Sequence, residues 1–140
     1  MRSFSEFVAA AGLSGSLERV EAAVTYHDPC HLSNRFAKIT AQPRALLKSI
    51  PGVTYKEMPE ADWCCGAAGS YTFLHHTEAT GVLDRKMNNV GKTGAAILAT
   101  ECPSCMMHLA FGARRKSLPV TVMHLSQLLD RATNALAAAS

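Results

Sequence analysis

The sequence predicts an α/β fold: a small three-layer domain in which helices cover both faces of a parallel sheet of about four strands. Short apolar runs alternate along the chain with amphipathic segments of helical spacing, a pattern typical of strand-helix-strand crossovers. The length of 140 residues, with 48% hydrophobic and 18% charged residues, suits one globular domain with a buried core. Because parallel sheets built from such crossovers are buried on both sides, we expect two helical layers.

The first third of the chain predicts a helix, a strand and a second helix. Ser3 and Glu6 fit a capping box, and the helix that they begin is expected to end near Gly12. The compact apolar run AAVTY at 22–26 predicts a buried strand that stops at the HDPC loop. Pro43 is expected in the first turn of the second helix, which a Pro-Gly pair ends.

Three more strands and their helices complete the predicted alternation. The strands lie at 53–58, 95–100 and 120–124. A long helix before the third strand is expected to begin at Thr77 and to end at Gly91 or Gly94. One helix follows the sequence ECPSC, and another closes the chain from Leu125. We divide the chain into an N-terminal helix and connector at 1–21 and one cysteine-rich domain at 22–140.

Charge and hydropathy narrow the possible functions. The net charge is +3 and the pI is about 8.7, and the densest basic cluster, at 114–116, is expected at a helix end, where the dipole favours cations. This placement argues against a nucleic-acid partner. The sequence contains no stretch near the roughly 20 apolar residues of a transmembrane helix, and its first ten residues are too polar for a secretory signal. We therefore expect a cytoplasmic protein.

Five cysteines provide the strongest functional signal, because they follow successive predicted strands. They are Cys30 after the first strand, Cys64 and Cys65 after the second, and Cys102 and Cys105 after the third. Thirty-three residues separate the first from the adjacent pair, and 36 separate that pair from the CxxC, so each gap is about one strand-helix-strand unit. In an open parallel sheet ligands bind beyond the carboxyl ends of the strands. All five thiols are thus expected at one edge.

Five thiolates in one place predict a bound cation or cluster, because their negative charges repel one another. A disulfide between adjacent cysteines is disfavoured, since it strains the peptide between them. Free cysteines are common in protein cores, but that explanation does not account for five of them at strand ends. One zinc ion uses four ligands, whereas a multi-iron cluster can use the fifth. Gly66 and the small residues after it would let backbone amides approach cluster sulfides.

Three segments resemble a known pattern, the cysteine-rich CCG domain. They are YHDPCH at 26–31, MPEADWCCG at 58–66 and ATECPSC at 99–105. The flanking segments QPRALLKSIPGV and LPVTVMHLSQLLDRA look most similar to the C-terminal part of the glycolate oxidase iron-sulfur subunit, and the CCG-containing subunit of heterodisulfide reductase is related. The resemblance implies an iron-sulfur electron-transfer module. It also implies that the five cysteines are the ligands of a [4Fe-4S] cluster, which in heterodisulfide reductase is non-cubane.

The resemblance further implies a complex that oxidises a 2-hydroxy acid such as glycolate or lactate. The flavin of a partner subunit would take the hydride, and electrons would pass to an acceptor such as a membrane quinone. Such an acceptor would place the protein at the inner face of the membrane through its partners. The chain has neither a GxGxxG motif nor a candidate substrate base, so it is not expected to be catalytic alone. Two departures are Ala67 and Ala68, where many relatives have glycines, and the single copy of a domain that relatives usually carry twice.

Three alternatives stay open from the sequence. The CPSC motif before a helix also suits a thiol-disulfide reductase module of heterodisulfide or thioredoxin type. A colourless zinc-binding scaffold is the second alternative, and a domain that only docks partners is the third. His27 and His31 flank the first cysteine and could either hydrogen-bond to the cofactor or cap the loop. Asp28 could either lower the potential of the cofactor through its charge or cap the loop. Trp63 is expected to cover the site.

Overall fold

The computed structural model describes residues 2–13, 16–33 and 37–138. Parts of both predicted segments, namely 1 and 14–15 in the first and 34–36 and 139–140 in the second, lie outside the described residues. In chain order the elements are α1 (Phe4–Ala11), β1 (Ala22–Tyr26), α2 (Cys30–Ser33), α3 (Ala41–Ser49), β2 (Val53–Tyr55), α4 (Ser70–Leu74), α5 (His76–Thr93), β3 (Ile97–Thr100), α6 (Pro103–Arg115), β4 (Thr121–His124) and α7 (Leu125–Ala138).

The strands form one parallel sheet in the order β2-β1-β3-β4. Val24 of β1 is aligned with Tyr55 on one side and with Ile97 on the other, and Ile97 is aligned in turn with Thr121. Because all of these pairs are parallel, the strands end at the same edge of the sheet, with β1 and β3 in the centre. The predicted α/β fold with a four-stranded parallel sheet is confirmed.

Helices cover both faces of this sheet, which gives the three predicted layers. Along β3 the side chains alternate between two core clusters, with Ile97 in the first and Leu98 in the second. The first cluster joins the sheet to α3 and α7, and it includes Leu47. The second joins the sheet to α5 and α6, and it includes Leu83. Both leucines are fully buried, and burying such a side chain stabilises the fold by about 1.5–3 kcal/mol.

The first helix joins the first of these clusters. Its predicted capping box is present, because the Glu6 amide donates to the Ser3 hydroxyl at 3.2 Å and the Ser3 amide donates to the Glu6 carboxylate at 2.9 Å. Phe4 and Val8 pack against the first cluster. Among the described residues, no helix combines the length and the apolar character needed to cross a membrane.

The structure differs from the sequence expectations mainly in short elements. Helices α2 and α4 were not predicted, because four or five residues are too few to show helical periodicity. Strand β2 ends at Tyr55 rather than at the predicted residue 58. Glu57, which was predicted to lie in this strand, accepts hydrogen bonds from Arg44 in the segment that follows it. The basic cluster lies where it was expected, in the last turn and C-cap of α6.

Candidate metal centre

The structure brings the three cysteine-bearing segments to one edge of the sheet. Cys30 is the first residue of α2, four residues after β1 ends. The Cys64–Cys65 pair lies in the loop after β2, and the CxxC begins α6 just after β3. Because β2, β1 and β3 are neighbours in that order and run parallel, their carboxyl-terminal loops are adjacent. The predicted location of the cysteines is confirmed.

The adjacent cysteines face in different directions. Cys64 is exposed, whereas Cys65 is 1% exposed and packs in the second core cluster. All five cysteines of the chain are free thiols, and the adjacent pair forms no disulfide, as expected from the strain of such a bridge. The pair therefore spans the site from its surface to its interior.

Gly66 shapes the loop after the pair. Its amide donates to the Cys64 sulfur at 3.3 Å, and its φ of +89° lies in the region that favours glycine. A Cβ at this position would lie 2.5 Å from the Ala79 carbonyl oxygen and 3.2 Å from Nε2 of His108. The glycine is thus required by the close approach of the loop to α5, a constraint that the sequence did not reveal.

The CxxC occupies the start of α6. Cys102 is the N-cap residue, and its sulfur accepts from the Cys105 amide at 3.5 Å. Pro103 takes the first helical position, where its missing N–H leaves no helical hydrogen bond unmade. Cys105 is buried, and the helix dipole favours negative charge on both sulfurs.

The protonation states of the buried thiols Cys65 and Cys105 depend on each other. A hydrogen bond from Cys105, together with the adjacent His27 ring, lowers the pKa of Cys65 to about 4. The same hydrogen bond, burial and the charges of Cys65 and Cys102 raise the pKa of Cys105. These interactions favour the thiolate form of Cys65 and the neutral thiol form of Cys105.

The outer cysteines lie close enough to one another and to the buried pair to interact electrostatically. Burial, followed by the charges of Cys64 and Cys65, raises the pKa of Cys30, and Cys102 adds to the effect. Each cysteine thus interacts electrostatically with at least one other. A bound cation would relieve this repulsion and favour the thiolate form of every cysteine.

The predicted ligand set did not include His27, but the structure places this residue in the site. The side chain is fully buried, and neither ring nitrogen makes a hydrogen bond of normal geometry to the residues that the structure describes, although the ring approaches the Cys65 sulfur and favours its thiolate form. One of its nitrogens and the sulfurs of Cys65 and Cys105 all lie within 4.8 Å of one another. His31, on the other side of Cys30, is exposed. The position of His27 directly after a buried strand was the signal that could have distinguished the two histidines.

Asp28 and Arg44 fix the loop that carries Cys30. The Asp28 carboxylate is almost fully buried and accepts two hydrogen bonds from the Arg44 guanidinium, at 2.8 and 2.7 Å. Arg44 also binds Glu57 on the segment that follows β2. The bidentate pair therefore ties the first cysteine loop to α3 and to the approach of the second loop.

Lys86 holds the loop before the adjacent cysteines. Its side chain is fully buried in α5, and its ammonium donates to the carbonyls of Glu60 at 2.5 Å and Ala61 at 3.2 Å. Burial lowers the pKa of Lys86 to about 8, and the charge of Cys65 acts in the opposite direction. No sequence signal indicated the role of this lysine, because that role depends on α5 packing under the loop.

Trp63 lies at the rim of the same loop. It is 46% exposed, and the Arg85 guanidinium lies 4.3 Å from its ring centre. A guanidinium at this distance over an indole face makes a favourable cation–π contact. The ring is therefore held in place by α5.

Comparison with known proteins connects this arrangement to a family. The family model described as the cysteine-rich domain, CCG, matches residues 24–110, a range that contains all five cysteines.

Among curated relatives, the "Probable glycolate oxidase iron-sulfur subunit" of Bacillus subtilis (strain 168) is 42% identical over 108 residues, which are 76% of this chain and 24% of the relative. A subunit of "Fumarate reductase (CoM/CoB)" from Methanothermobacter marburgensis is 34% identical over 129 residues, 91% of this chain and 26% of the relative. "Lactate utilization protein A" of Halalkalibacterium halodurans is 29% identical over 111 residues, 79% of this chain and 45% of the relative. The alignments thus cover from about a quarter to less than half of the relatives' length.

Proposed function

The chain belongs to the cysteine-rich CCG domain family, and on that premise we propose that it is an electron-transfer module that holds an iron-sulfur cluster. The observation that carries the proposal is the convergence of five free thiols from three loops at one edge of the sheet. A bound cluster supplies reversible one-electron oxidation and reduction. Its proposed ligands are Cys30, Cys64, Cys65, Cys102 and Cys105.

The donors present fit such a group. As bound thiolates the five cysteines would carry negative charge that a polycationic centre offsets, and two backbone amides, those of Gly66 and Cys105, already donate to cysteine sulfurs. Hydrogen bonds of this kind tune the potential of iron-sulfur centres. The site also reaches the surface at Cys30 and Cys64, which gives electrons a short path to a partner. We propose a [4Fe-4S] cluster of the non-cubane form, because that form uses all five thiols and leaves none without a role.

The proposed setting is a flavin-linked oxidoreductase of 2-hydroxy acids. The printed names of two relatives contain glycolate oxidase and lactate utilization, and this supports glycolate or lactate as the substrate of the complex. A flavoprotein partner would accept the hydride. This chain would then transfer the two electrons of that hydride, one at a time, toward an acceptor such as a membrane quinone. We propose a cytoplasmic location, with contact to the inner face of the membrane through partners. We also propose 22–140 as the cysteine-rich domain, with 1–21 as an N-terminal helix and connector.

The test is anaerobic reconstitution of the chain with iron and sulfide, followed by metal analysis and electron paramagnetic resonance. The five Cys→Ser variants are treated in parallel, with Ser104→Ala, which lies between the two cysteines of the CxxC, as the matched control. We expect full iron and labile sulfide in the wild type and in the control. Each Cys→Ser variant is expected to lose or convert the cluster, because serine is a poor substitute for a soft thiolate ligand.

The outcomes separate the finer proposals. One tolerant cysteine variant would indicate a four-ligand cubane instead of the five-ligand form. If Cys64→Ser and Cys65→Ser both kept wild-type iron and spectrum, the adjacent pair would not be a ligand pair. A wild-type protein with neither iron nor sulfide after reconstitution would overturn the proposed cofactor.

Zinc binding is the second candidate, and one observation favours it. The buried donors His27, Cys65 and Cys105 are of the types that zinc binds, and they lie within 4.8 Å of one another. A zinc protein would bind one colourless metal ion per chain and would show no redox couple from that metal. Metal analysis of the reconstituted protein thus distinguishes zinc from a cluster.

A further inference from the structure

The buried ring of His27 has an unmet chemical requirement. Its backbone is fixed beyond the end of β1, because its amide donates to the Ala99 carbonyl at 3.0 Å. The side chain has no exposed surface, and within the described part of the chain neither ring nitrogen makes a hydrogen bond of normal geometry, although the ring lies close enough to the Cys65 sulfur to stabilise its thiolate. Buried polar groups are nearly always satisfied, and each exception calls for an explanation such as a bound water or an ion.

The surroundings of the ring indicate what would satisfy it. A His27 nitrogen and the sulfurs of Cys65 and Cys105 lie within 4.8 Å of one another, and all three residues are buried. They come from three different segments: the end of β1, the loop after β2 and the first turn of α6. Imidazole nitrogen and thiolate sulfur are both ligands of divalent transition metals. One ion among them would satisfy the ring nitrogen that faces the two sulfurs.

We propose that His27 is a metal ligand, which forms with Cys65 and Cys105 the innermost metal position of the cysteine site. This inference rests on the premise of the proposed function that the site binds metal, but it does not require that metal to be an iron-sulfur cluster. It divides the donors into a buried set, His27, Cys65 and Cys105, and a set nearer the surface, Cys30, Cys64 and Cys102.

A different histidine is the natural competitor. Nε2 of His108 on α6 is also buried and without a hydrogen-bond partner among the described residues, and it lies close to Gly66. It is not part of the three-donor group, and its own ring stacks near Phe111 at a centroid distance of 6.2 Å. His31 is the exposed histidine next to Cys30. His31 and His108 therefore serve as matched controls.

The experiment uses the full chain without iron, titrated anaerobically with Co²⁺, which takes the same nitrogen and sulfur ligands as zinc or ferrous iron. Pulsed electron paramagnetic resonance on protein with ¹⁵N-labelled histidine reports whether an imidazole nitrogen is bound to the cobalt. We expect a directly coordinated nitrogen in the wild type, retained in His31→Ala and His108→Ala. His27→Ala is expected to lose this coupling and to bind Co²⁺ at least tenfold more weakly. His27→Cys is expected to restore affinity with an added thiolate charge-transfer band.

The labelled wild type and the two controls decide the question even if His27→Ala does not fold. Absence of nitrogen coupling in the wild type would overturn the inference, and so would its loss in either control. Cobalt affinity unchanged in a folded His27→Ala would overturn it as well. These results are independent of the iron and sulfide analysis. If the chain binds a cluster but cobalt shows no coordinated nitrogen, only the role of His27 is refuted. If cobalt binds through His27 but the chain takes up no iron and sulfide, only the cluster is refuted.

Discussion

Replacement of Gly66 by alanine tests whether the loop after the adjacent cysteines is held against α5 as the structure shows. An alanine would have to adopt a φ of +89°, and left-handed conformations cost an L-residue about 1–2 kcal/mol. Its Cβ would also lie 2.5 Å from the Ala79 carbonyl oxygen, which cannot move freely because it belongs to a helix backbone. Overpacking of this kind costs about 1–3 kcal/mol. We therefore expect the free energy of unfolding to fall by about 2–5 kcal/mol, a large share of the stability of a small domain.

Alanine substitutions at two other glycines separate the cost of the backbone conformation from the cost of the steric overlap. Gly94→Ala must adopt the left-handed conformation (φ +62°, ψ +19°) but has open space around the new Cβ, so it should lose only about 1–2 kcal/mol. Gly81→Ala lies inside α5 with open space and no positive φ, so it should gain about 0.5–1 kcal/mol. Urea unfolding of the metal-free, reduced protein measures all three. If Gly66→Ala were no less stable than Gly94→Ala, the close approach of the loop to α5 would be refuted.

Two further predictions concern the charged residues that support the site. Burial lowers the pKa of Lys86 to about 8, so the folded state binds its proton less tightly than the unfolded state does, and stability should rise with pH until the ordinary value of 10.5 is reached. The free energy of unfolding of the wild type should therefore increase relative to Lys86→Met by about 3 kcal/mol over that interval, measured by urea unfolding, and a constant difference would contradict this. Arg44→Met leaves the Asp28 carboxylate buried without its partner and should cost about 3–5 kcal/mol by the same measurement. Arg19→Met, whose pair with Glu21 is largely exposed, should change stability by less than about 1 kcal/mol, and equal losses in the two variants would refute the role given to Asp28.

Much of the fold followed from local sequence patterns. The capping box at Ser3, the strand at 22–26 and the closing helix from Leu125 are present as predicted, because each is specified by neighbouring residues. The short helices α2 and α4 were missed because a helix of four or five residues leaves no periodic pattern in the sequence. Local signals thus predicted the long elements and failed for the short ones.

The contacts of individual side chains were not predictable in the same way. The sequence placed five cysteines at one edge, since parallel strands with regular crossovers must end together. It did not show which of the adjacent cysteines is buried, because both occupy a loop without strand or helix periodicity. It also assigned no role to Lys86, whose two carbonyl acceptors lie 25 and 26 residues away in the chain.

The sequence by itself determined the fold class, the edge at which the cysteines meet and the family of the chain, because these follow from hydrophobic periodicity, chain connectivity and the spacing of one reactive residue type. Only the tertiary structure decided which donors of the site are buried and which are exposed. The packing of α5 and α6 against the sheet buries Cys65 and Cys105 beside His27, and leaves Cys64 at the surface. The physical reason is that burial and charge depend on the atoms that surround a side chain, and most of those atoms belong to residues far away in the sequence.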